Sequence, residues 1–368
     1  MPSRAVDENP RYWREYSNLQ RTKHDLIRQY LGGWFAKLGS WAGRVLYFDT
    51  HAGRGAHASG QLGSPLVALN TLLTHSHRDR LLRNCEFRFH FIERDEENKR
   101  ALDSEVLALG SLPRNVIIES IAADCFDHLA GLVRDLREAG SRMAPAFVFV
   151  DPYGFKVPGA LLRDLMQSGS VELFINVIWR ELDMAIAQAR RGMAPGFAAT
   201  LDEIFGGAGW KERVASEDFD ERADQAIDLI AEMVSARWAT PLRMLADNHK
   251  TRYVLLHLTN HDEGRALMKD CMWRVCPEGG FYARKGNQQL LIKPEPNLGP
   301  LREWVLAKIS AGPIRYQDLH REALPEIWRP TQINKVVSAL RKDGKIVGRD
   351  YLGKFSGRAN PLLELASA

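Results

Sequence analysis

The sequence has little cysteine and no long hydrophobic run. Four cysteines occur among 368 residues, and no two have the C-x-x-C spacing of a zinc site, so we expect neither a disulfide framework nor a metal site. No stretch approaches the roughly 18 apolar residues of a membrane helix. The first ten residues lack the apolar region of a secretion signal. These absences predict a cytoplasmic protein that has no membrane partner.

Charge is distributed unevenly along the chain. The net charge is +4, yet residues 300–368 carry 12 lysines and arginines against 7 acidic residues, while residues 45–299 carry 30 against 35. A basic segment is the electrostatic footprint of a nucleic-acid-binding surface. A solvated basic face has the same composition, so charge alone leaves both interpretations open.

Apolar runs alternate with helical patterns over the first half of the chain. Apolar residues at helical spacing predict a helix over residues 11–38. Five nearly continuous apolar runs predict strands at residues 44–48, 87–92, 115–119, 146–150 and 171–177. Strands of this kind, separated by helices, indicate an α/β fold with a parallel sheet covered on both faces. Such sheets bind ligands beyond the carboxyl ends of their strands.

The alternation stops after the fifth strand. Residues 181–240 have a helical pattern and predict an inserted helical subdomain. Strands at 253–258 and 289–292, with a helix near 264–273, would complete the sheet before a proline-rich linker at 293–300. The predicted organisation is therefore an N-terminal helical segment (1–44), a core in two parts (45–180 and 241–297) around the insertion (181–240), and a separate C-terminal domain (298–368).

The C-terminal domain has the pattern of a winged helix-turn-helix. Three helices are predicted, the third over 329–342 with Thr331 as its N-cap, followed by two strands that flank a basic loop. In this fold the third helix enters the major groove, and the wing meets phosphates. The predicted nucleic-acid contacts are Gln332, Asn334, Lys335 and Arg341 on the helix and Arg349, Lys354 and Arg358 on the wing. A winged helix used for protein contacts is the alternative.

Acidic residues and a glycine turn follow the predicted strands. Asp49 ends the first strand before a turn that contains Gly53 and Gly55, where the backbone can approach a ligand closely. Glu93 ends the second strand, where an α/β fold places an acid on ribose hydroxyls, and Asp124 follows the third. Each acid also precedes a helix that it could cap. Three acids in register with the glycine turn favour an adenosine ligand.

Asp151-Pro152-Tyr153-Gly154 follows the fourth strand. This segment resembles motif IV of the S-adenosylmethionine-dependent amino-methyltransferases, although it lacks the second proline that is usual there. In that motif a carboxylate and a backbone carbonyl accept the two N–H bonds of an exocyclic amine, which is otherwise a poor nucleophile. Asp151 and the Pro152 carbonyl would do this here, and Tyr153 would stack on the base. An ordinary turn is the alternative, since these residue types form turns.

The order of these motifs resembles that of the bacterial large-subunit ribosomal-RNA adenine-N6 methyltransferase of the J type. Asp49-Thr-His-Ala-Gly-x-Gly55, Gly63-Ser-Pro-Leu66, Glu93, Asp124 and Asp151-Pro152 occur in sequence, and Lys23-His24 matches a Lys-His pair on that family's first helix. The resemblance implies S-adenosylmethionine as cofactor, a class I methyltransferase fold, and Asp151 as the catalytic carboxylate. It implies cofactor contacts from the Lys23-His24 pair, His51, Ser64, Glu93 and Asp124.

Over most of its length the chain resembles the three-Cys-motif partner proteins. The shared features are Gly-x-x-Gly-Ser-Pro-Leu, Val-Asp-Pro-Tyr-Gly-Phe, the helical insertion and the trailing winged helix. The resemblance implies a three-cysteine protein of the radical S-adenosylmethionine type as partner. We expect a methyltransferase acting on an amino group of a base, with adenine N6 favoured and DNA somewhat over RNA. The alternatives are an adaptor that binds cofactor and nucleic acid but transfers no methyl group, and a methyltransferase for a small molecule or protein.

Overall fold

The computed structural model describes residues 16–193, 195–245, 250–277, 282–284, 296–349 and 351–366. The chain divides into two compact units. The first extends to Gly264 and includes a short strand at Tyr282–Arg284, and the second contains residues from Arg265 to Phe281 and from Leu290 onward. No helix among the described residues is both long enough and apolar enough to cross a membrane.

The first unit is built on an eight-stranded sheet with the order β3-β2-β1-β4-β5-β7-β6-β8. Strands β1 to β5 are parallel to one another, whereas β7 runs antiparallel to both β5 and β6. The strands are β1 Arg44–Asp49, β2 Glu86–Glu93, β3 Val116–Ala122, β4 Met143–Val150, β5 Gly169–Val177, β6 Trp238–Leu245, β7 Thr251–Thr259 and β8 Tyr282–Arg284.

The helices of the first unit follow the strands in the predicted alternation. They are α1 Asn18–Leu38, α2 Ser64–Leu73, α3 Arg78–Asn84, α4 Glu96–Ala108, α5 Cys125–Glu138, α6 Gly159–Gln167, α7 Trp179–Arg190, α8 Pro195–Phe205, α9 Trp210–Arg213 and α10 Phe219–Val234. Helix α11, Asp262–Val275, begins in this unit and continues into residues of the second.

Both faces of the sheet are buried, as the apolar strands predicted. Successive residues of a strand point to opposite faces. Tyr47 of β1 stacks on Phe147 at 6.2 Å between ring centroids, and Trp34 of α1 packs against the same ring at 5.9 Å. The neighbouring Leu46 and Phe48 belong to the opposite core, which they share with buried residues of α5 to α10.

Helix α1 begins later than the sequence pattern predicts. Ser17 is its N-cap: the Ser17 hydroxyl accepts from the Gln20 N–H at 3.2 Å, and the Gln20 side chain accepts from the Ser17 N–H at 2.8 Å. This capping box satisfies two backbone donors that the first turn leaves open. The predicted residues 11–15 lie outside the described part of the chain.

Strand β6 corrects the predicted end of the helical insertion. Residues 238–240 were expected to be helical but belong to β6. The pattern was misleading because Pro241 lies within the strand and donates no hydrogen bond. It is tolerated because, among the described residues, β8 pairs only with Arg243–Leu245 and Pro241 pairs only with β7. The predicted strand at 289–292 and the boundary at 297/298 stay predictions, because residues 285–295 lie outside the described residues.

The second unit combines helices with a three-stranded antiparallel sheet. After the last part of α11 come α12 Gly299–Ser310, β9 Ile314–Arg315, α13 Tyr316–Glu322, α14 Pro330–Lys342, β10 Ile346–Arg349 and β11 Leu362–Leu365. The sheet order is β10-β11-β9. A core of its own contains Leu301, Leu319, Val337, Leu340 and Leu363.

One face of α11 holds the loop that follows α13. Arg265, Lys269 and Trp273 are spaced four residues apart, which puts them on one helix face. The Lys269 ammonium donates to three backbone carbonyls of residues 323–326 at 2.8–3.2 Å. Arg265 donates to the Pro325 carbonyl at 2.9 Å, and the Trp273 indole donates to that of Ile327 at 2.8 Å. These donors satisfy backbone carbonyls of a loop that has no regular secondary structure to pair them.

A buried carboxylate joins α1 to two strands. Glu172 of β5 accepts from the Tyr30 hydroxyl, from the Trp34 indole at 3.2 Å and from His257 of β7 at 2.8 Å. Burial alone would raise the pKa of Glu172, but these donors outweigh it and lower that pKa. All four side chains are buried, so each hydrogen bond replaces contact with water.

We expect Glu172→Ala to lower the free energy of unfolding by about 3–5 kcal/mol, because three buried donors lose their acceptor. The matched control is Glu263→Ala. Glu263 also pairs with α1, through Lys37 at 2.7 Å, but its side chain is 77% exposed, so its loss should cost less than about 1 kcal/mol. Thermal unfolding followed by circular dichroism measures both. Equal midpoints for the two variants would contradict a structural role for the buried carboxylate.

Candidate functional site

The polar residues that follow the parallel strands meet at one edge of the sheet. Asp49 ends β1, Glu93 ends β2, and Asp151 directly follows β4. Since β1 lies between β2 and β4, the carboxyl ends of these strands form a single crevice, which is where open α/β sheets bind their ligands. Asn176, one residue before the end of β5, joins them.

Glu93 shapes the glycine turn. One of its carboxylate oxygens accepts from the Gly53 N–H at 2.8 Å, and the other accepts from the Asp95 N–H at 2.9 Å. Gly53 has a φ of 62° and Gly55 a φ of 82°, values that L side chains rarely adopt. A Cβ at Gly55 would also lie 2.8 Å from the Leu102 side chain. The turn therefore requires glycine at both positions.

Asp49 is a buried carboxyl group with one oxygen unused. The Tyr47 hydroxyl donates to Oδ2 at 3.3 Å, whereas Oδ1 makes no hydrogen bond with any described residue. Burial is the main cause that raises the pKa of Asp49 to about 7, and the nearby charge of Asp151 adds to the rise. Ser64, the first residue of α2, acts in the opposite direction and lowers the pKa of Asp49, because its side chain favours the ionised carboxylate. Asp49 therefore changes charge near neutral pH.

Asp151 is held from two sides. The Lys23 ammonium forms an ion pair with Oδ2, and the Asn176 amide donates to Oδ1 at 2.6 Å. Burial would raise the pKa of Asp151, but Lys23 and Asn176 more than offset this and lower it. The carboxylate is therefore ionised at neutral pH. Each oxygen has a second lone pair that can accept a further hydrogen bond.

The other two residues of the predicted motif IV differ in exposure. Pro152 is buried, and Tyr153 is 43% exposed. The ring of Tyr153 is thus partly accessible to a planar ligand. The sequence resemblance had assigned this residue to stacking, and its exposure is compatible with that role.

Asn176 is a site residue that the sequence analysis did not identify. Since Asp151 is ionised and accepts only, Asn176 must turn its NH₂ towards it, which leaves Oδ1 as an acceptor without a partner among the described residues. Asn176 also lines a small pocket with Gly154, Phe155 and Val177. The available signal was a single amide in the otherwise apolar Leu-Phe-Ile-Asn-Val run.

The predicted histidines lie in the same region and are neutral. His24 is buried, and its Nδ1 lies 2.9 Å from the Tyr16 hydroxyl. Burial lowers the pKa of His24 to about 3 and that of His51 to about 4. The Nδ1 of His51 lies 2.8 Å from the Thr50 hydroxyl. Both rings therefore offer hydrogen bonds but no charge at neutral pH.

His57 adds a third imidazole that the sequence analysis missed. It is 4% exposed, and its ring packs edge-on to Tyr16 at 5.1 Å and lies 6.4 Å from the His24 ring. Its place in the chain, two residues after Gly55, was the only signal.

Asp124 caps a helix, which was the alternative interpretation for all three acids. Its Oδ1 accepts from the Phe126 and Asp127 N–H groups at the start of α5, at 3.0 and 3.2 Å. Asp124 is exposed, and its charge acts on His51. Capping therefore accounts for Asp124 but not for the other two acids. The helix after Asp49 is α2, whose N-cap is Gly63, and the helix after Glu93 is α4, whose N-cap is Asp95.

In the second unit the structure corrects two residues of the predicted third helix. The N-cap of α14 is Arg329 rather than Thr331, and Pro330 is the first helical residue. Gln332 is 4% exposed, and its side chain accepts from the Arg329 N–H at 2.8 Å. Gln332 was predicted to face nucleic acid, whereas in the structure its side chain is buried and caps the helix. The sequence pattern missed the reciprocal cap.

The remaining predicted contacts are nearer the surface but not equally available. Asn334, Lys335, Lys354 and Arg358 are exposed, although Asn334 also accepts from the Tyr316 hydroxyl. Arg349 pairs with Glu364 at 2.6 Å. Arg341 donates to two backbone carbonyls of the loop between β10 and β11.

No protein-family model and no curated protein matches the sequence. Among solved structures, the chain is similar to Trm1 from Pyrococcus horikoshii in complex with S-adenosylmethionine, with 13% identity and a TM-score of 0.40 over 98% of this chain and 91% of that chain. It is also similar to the plantazolicin methyltransferase BamL, with 10% identity and a TM-score of 0.29 over 65% of this chain and 86% of that chain. A third similar structure is the methyltransferase domain of bacterial CtHen1, with 14% identity and a TM-score of 0.30 over 64% of this chain and 99% of that chain.

These TM-scores are low, so the assignment of the fold rests on the strand order of the chain itself. The order β3-β2-β1-β4-β5-β7-β6, with β7 antiparallel to both neighbours, is that of the Rossmann-like class I methyltransferases. The first unit therefore has the fold of S-adenosylmethionine-dependent methyltransferases, and a small antiparallel sheet follows in the second unit.

A double-mutant cycle with Lys23→Met and Asp151→Asn should show strong coupling. Each single change leaves a buried group without its partner and should lower the free energy of unfolding by about 2–4 kcal/mol, whereas the double variant should lose about 1–3 kcal/mol less than the sum. Urea unfolding at neutral pH measures all four proteins.

The control cycle uses Arg213→Met and Glu232→Gln, which form an exposed ion pair at 2.7 Å. Its coupling should stay below about 1 kcal/mol. The burial argument fails if the exposed pair couples as strongly as Lys23 and Asp151 do.

Proposed function

We propose that this protein transfers a methyl group from S-adenosylmethionine to an exocyclic amino group of a nucleic-acid base, with adenine N6 favoured and DNA preferred over RNA. The observation that carries the proposal is the ionised Asp151 carboxylate at the end of β4, in the same crevice as the glycine turn and the half-satisfied Asp49. The fold supports the cofactor, and the residue types around Asp151 support the amine.

The crevice residues fit the chemistry of the cofactor. Asp49 Oδ1 is a buried acceptor without a partner among the described residues, which suits the cofactor's ammonium group. Glu93 accepts from the Gly53 N–H of the turn and from the Asp95 N–H, and it ends β2, where an α/β fold places an acid on ribose hydroxyls. The residues that would hold the cofactor are Lys23, His24, Asp49, His51, Gly53, Gly55, Ser64, Glu93 and Asp124. When bound, the cofactor supplies an electrophilic methyl group on a sulfonium.

Asp151 and Pro152 would orient the amine. An exocyclic amine conjugates its lone pair with the ring, so acceptors on both N–H bonds favour a nitrogen whose lone pair can attack. The Asp151 carboxylate and the Pro152 carbonyl are the proposed acceptors, with the Tyr153 ring against the base. Positioning of this kind supplies a large part of the rate in transfers between two bound groups. A base in a duplex would first have to leave the stack.

The second unit would bind the nucleic acid as a winged helix. Three features support this proposal: the order α12-β9-α13-α14-β10-β11, the antiparallel sheet β10-β11-β9, and the exposed basic residues Lys335, Lys354 and Arg358. The major groove of duplex DNA admits a helix, whereas that of duplex RNA is deep and narrow. This difference is the reason for preferring DNA.

A second candidate function is an adaptor that binds cofactor and nucleic acid for a three-Cys-motif radical S-adenosylmethionine protein and transfers no methyl group. One observation favours it: both oxygens of Asp151 already have partners, in Lys23 and Asn176. An incoming amine would have to share this carboxylate with them.

Binding of S-adenosylmethionine should strengthen as pH rises towards 7. The pKa of Asp49 is about 7, so below that pH the carboxyl group must lose a proton before it can pair with an ammonium, and affinity should fall by up to about tenfold per pH unit. Calorimetric titration between pH 5 and pH 8 tests this. Asp49→Asn should bind more weakly and lose the pH dependence below 7. Asp127→Asn, an exposed change in the first turn of α5, is the control. Equal pH profiles for Asp49→Asn and the unmodified protein would exclude Asp49 as the ammonium partner.

Asp151→Asn should abolish methyl transfer while cofactor affinity changes little. The variant keeps the size of the side chain but removes the charge that accepts from the amine. Transfer of labelled methyl groups to duplex DNA, single-stranded DNA and RNA is the measurement, with Asp127→Asn again as control. Full activity of Asp151→Asn would rule out the catalytic assignment. An unmodified protein that binds cofactor and nucleic acid but methylates none of them would favour the adaptor.

A further inference from the structure

The loop between β10 and β11 carries an unusual side chain at its tip. Leu352 is 95% exposed, the highest value of any large hydrophobic residue in the described part of the chain. Single exposed leucines are common on protein surfaces and need no explanation by themselves. The way in which this loop is held distinguishes Leu352.

Arg341 of α14 fixes two consecutive peptide groups of this loop, beginning at Leu352. Its guanidinium donates to the Leu352 carbonyl at 2.7 Å and to the Gly353 carbonyl at 2.6 Å. The same group lies over the Phe355 ring, 4.3 Å from the centroid. A planar guanidinium with two parallel donors orients both carbonyls at once. Because the carbonyls point to Arg341, the Leu352 side chain is held outward.

Further contacts make the tip compact. The Tyr351 N–H donates to the Gly348 carbonyl at 3.1 Å, and the Tyr351 hydroxyl donates to the Lys354 carbonyl at 3.2 Å. A Cβ at Gly353 would lie 2.5 Å from that hydroxyl oxygen, so any larger residue there would displace the Tyr351 side chain from this contact. The exposure of Leu352 thus results from a loop whose conformation is held by these contacts.

The chemistry around Leu352 selects its partner. Lys354 and Arg358 lie on the same loop and are exposed, so the loop carries exposed cations as well as one fully exposed leucine. A polyanion with a narrow apolar recess fits both features, and the minor groove of DNA is such a surface, where proteins insert leucine and similar residues between base steps. A lipid surface or a protein partner would need more apolar area than one side chain provides.

We propose that Leu352 is a wedge that enters the minor groove of duplex DNA, with Lys354 and Arg358 on the adjacent phosphates. Arg341 is then a positioning residue for the wedge and not a direct contact of nucleic acid. This inference rests on the proposed nucleic-acid function and deepens it, since it names a groove, a conformation of the DNA and the residue that produces it.

The test measures affinity and base stacking on the full-length protein. Binding of a labelled DNA duplex is followed by anisotropy at several salt concentrations, and a duplex with 2-aminopurine reports loss of stacking. Leu352→Ala should weaken binding about tenfold, as expected for one leucine that leaves an apolar contact, and should abolish the 2-aminopurine signal. The dependence of affinity on salt should not change, because no phosphate contact is lost. Lys354→Ala should instead reduce the slope of log affinity against log salt by about 0.9.

Two controls separate the wedge from general effects. Leu107→Ala removes another leucine, 80% exposed on α4, and should change neither affinity nor stacking. Leu352→Met keeps an apolar side chain of similar volume and should retain most of the affinity and the 2-aminopurine signal. Arg341→Lys keeps the positive charge but loses the two parallel donors of the guanidinium. It should therefore reduce the 2-aminopurine signal more than it reduces the dependence of affinity on salt.

The outcomes are distinct. If the unmodified protein binds neither DNA nor RNA, the nucleic-acid function fails and the wedge with it. If the protein binds DNA and Leu352→Ala equals it in affinity and stacking signal, the wedge is overturned and the function stands. If Leu352→Ala weakens binding to an RNA duplex as much as it weakens binding to a DNA duplex, the minor-groove assignment is overturned. The protein can also be tested with vesicles of phosphatidylserine and phosphatidylcholine. If vesicle binding depends on Leu352 and DNA binding does not, the wedge is overturned in favour of a lipid surface.

Discussion

The ion pair between Lys23 and Asp151 is the interaction on which the crevice depends. Two charges taken out of water must compensate each other closely, so Lys23 fixes the position of α1 relative to the end of β4. A second attachment, from Tyr30 and Trp34 to Glu172, holds the same helix two to three turns further along. Helix α1 is therefore part of the core of the first unit, and it carries His24 and Lys23 to the site as a consequence.

The three acids after β1, β2 and β3 occupy equivalent places in the sequence but have different physical roles. Asp49 is fully buried with an unused oxygen, so its pKa rises to about 7. Glu93 is buried too, yet two backbone N–H groups satisfy it. Asp124 is exposed and caps a helix. Burial and the number of nearby donors decide these differences, and neither can be read from the position of an acid after a strand.

The second unit shows the same competition between structural and functional use of polar side chains. Gln332 and Arg341 both lie on α14, and both form hydrogen bonds with backbone groups of the unit itself. A helix start and a long loop have backbone donors and acceptors that must be satisfied. Polar residues close to such groups can be used there, and Lys335, Arg349, Lys354 and Arg358 are the exposed basic residues of the prediction.

Sequence alone determined the parallel part of the sheet, because buried parallel strands are continuous apolar runs that end at their polar ligand-side residues. It also brought Asp49, Glu93 and Asp151 to one edge, since parallel strands share their carboxyl ends. Tertiary structure decided what local pattern does not encode: that Asn176 of β5 reaches Asp151, that Lys23 pairs with Asp151 across 128 residues of chain, and that a strand containing Pro241 joins the sheet. These contacts depend on which elements become neighbours in space, and side-chain periodicity reports only which face of an element is buried.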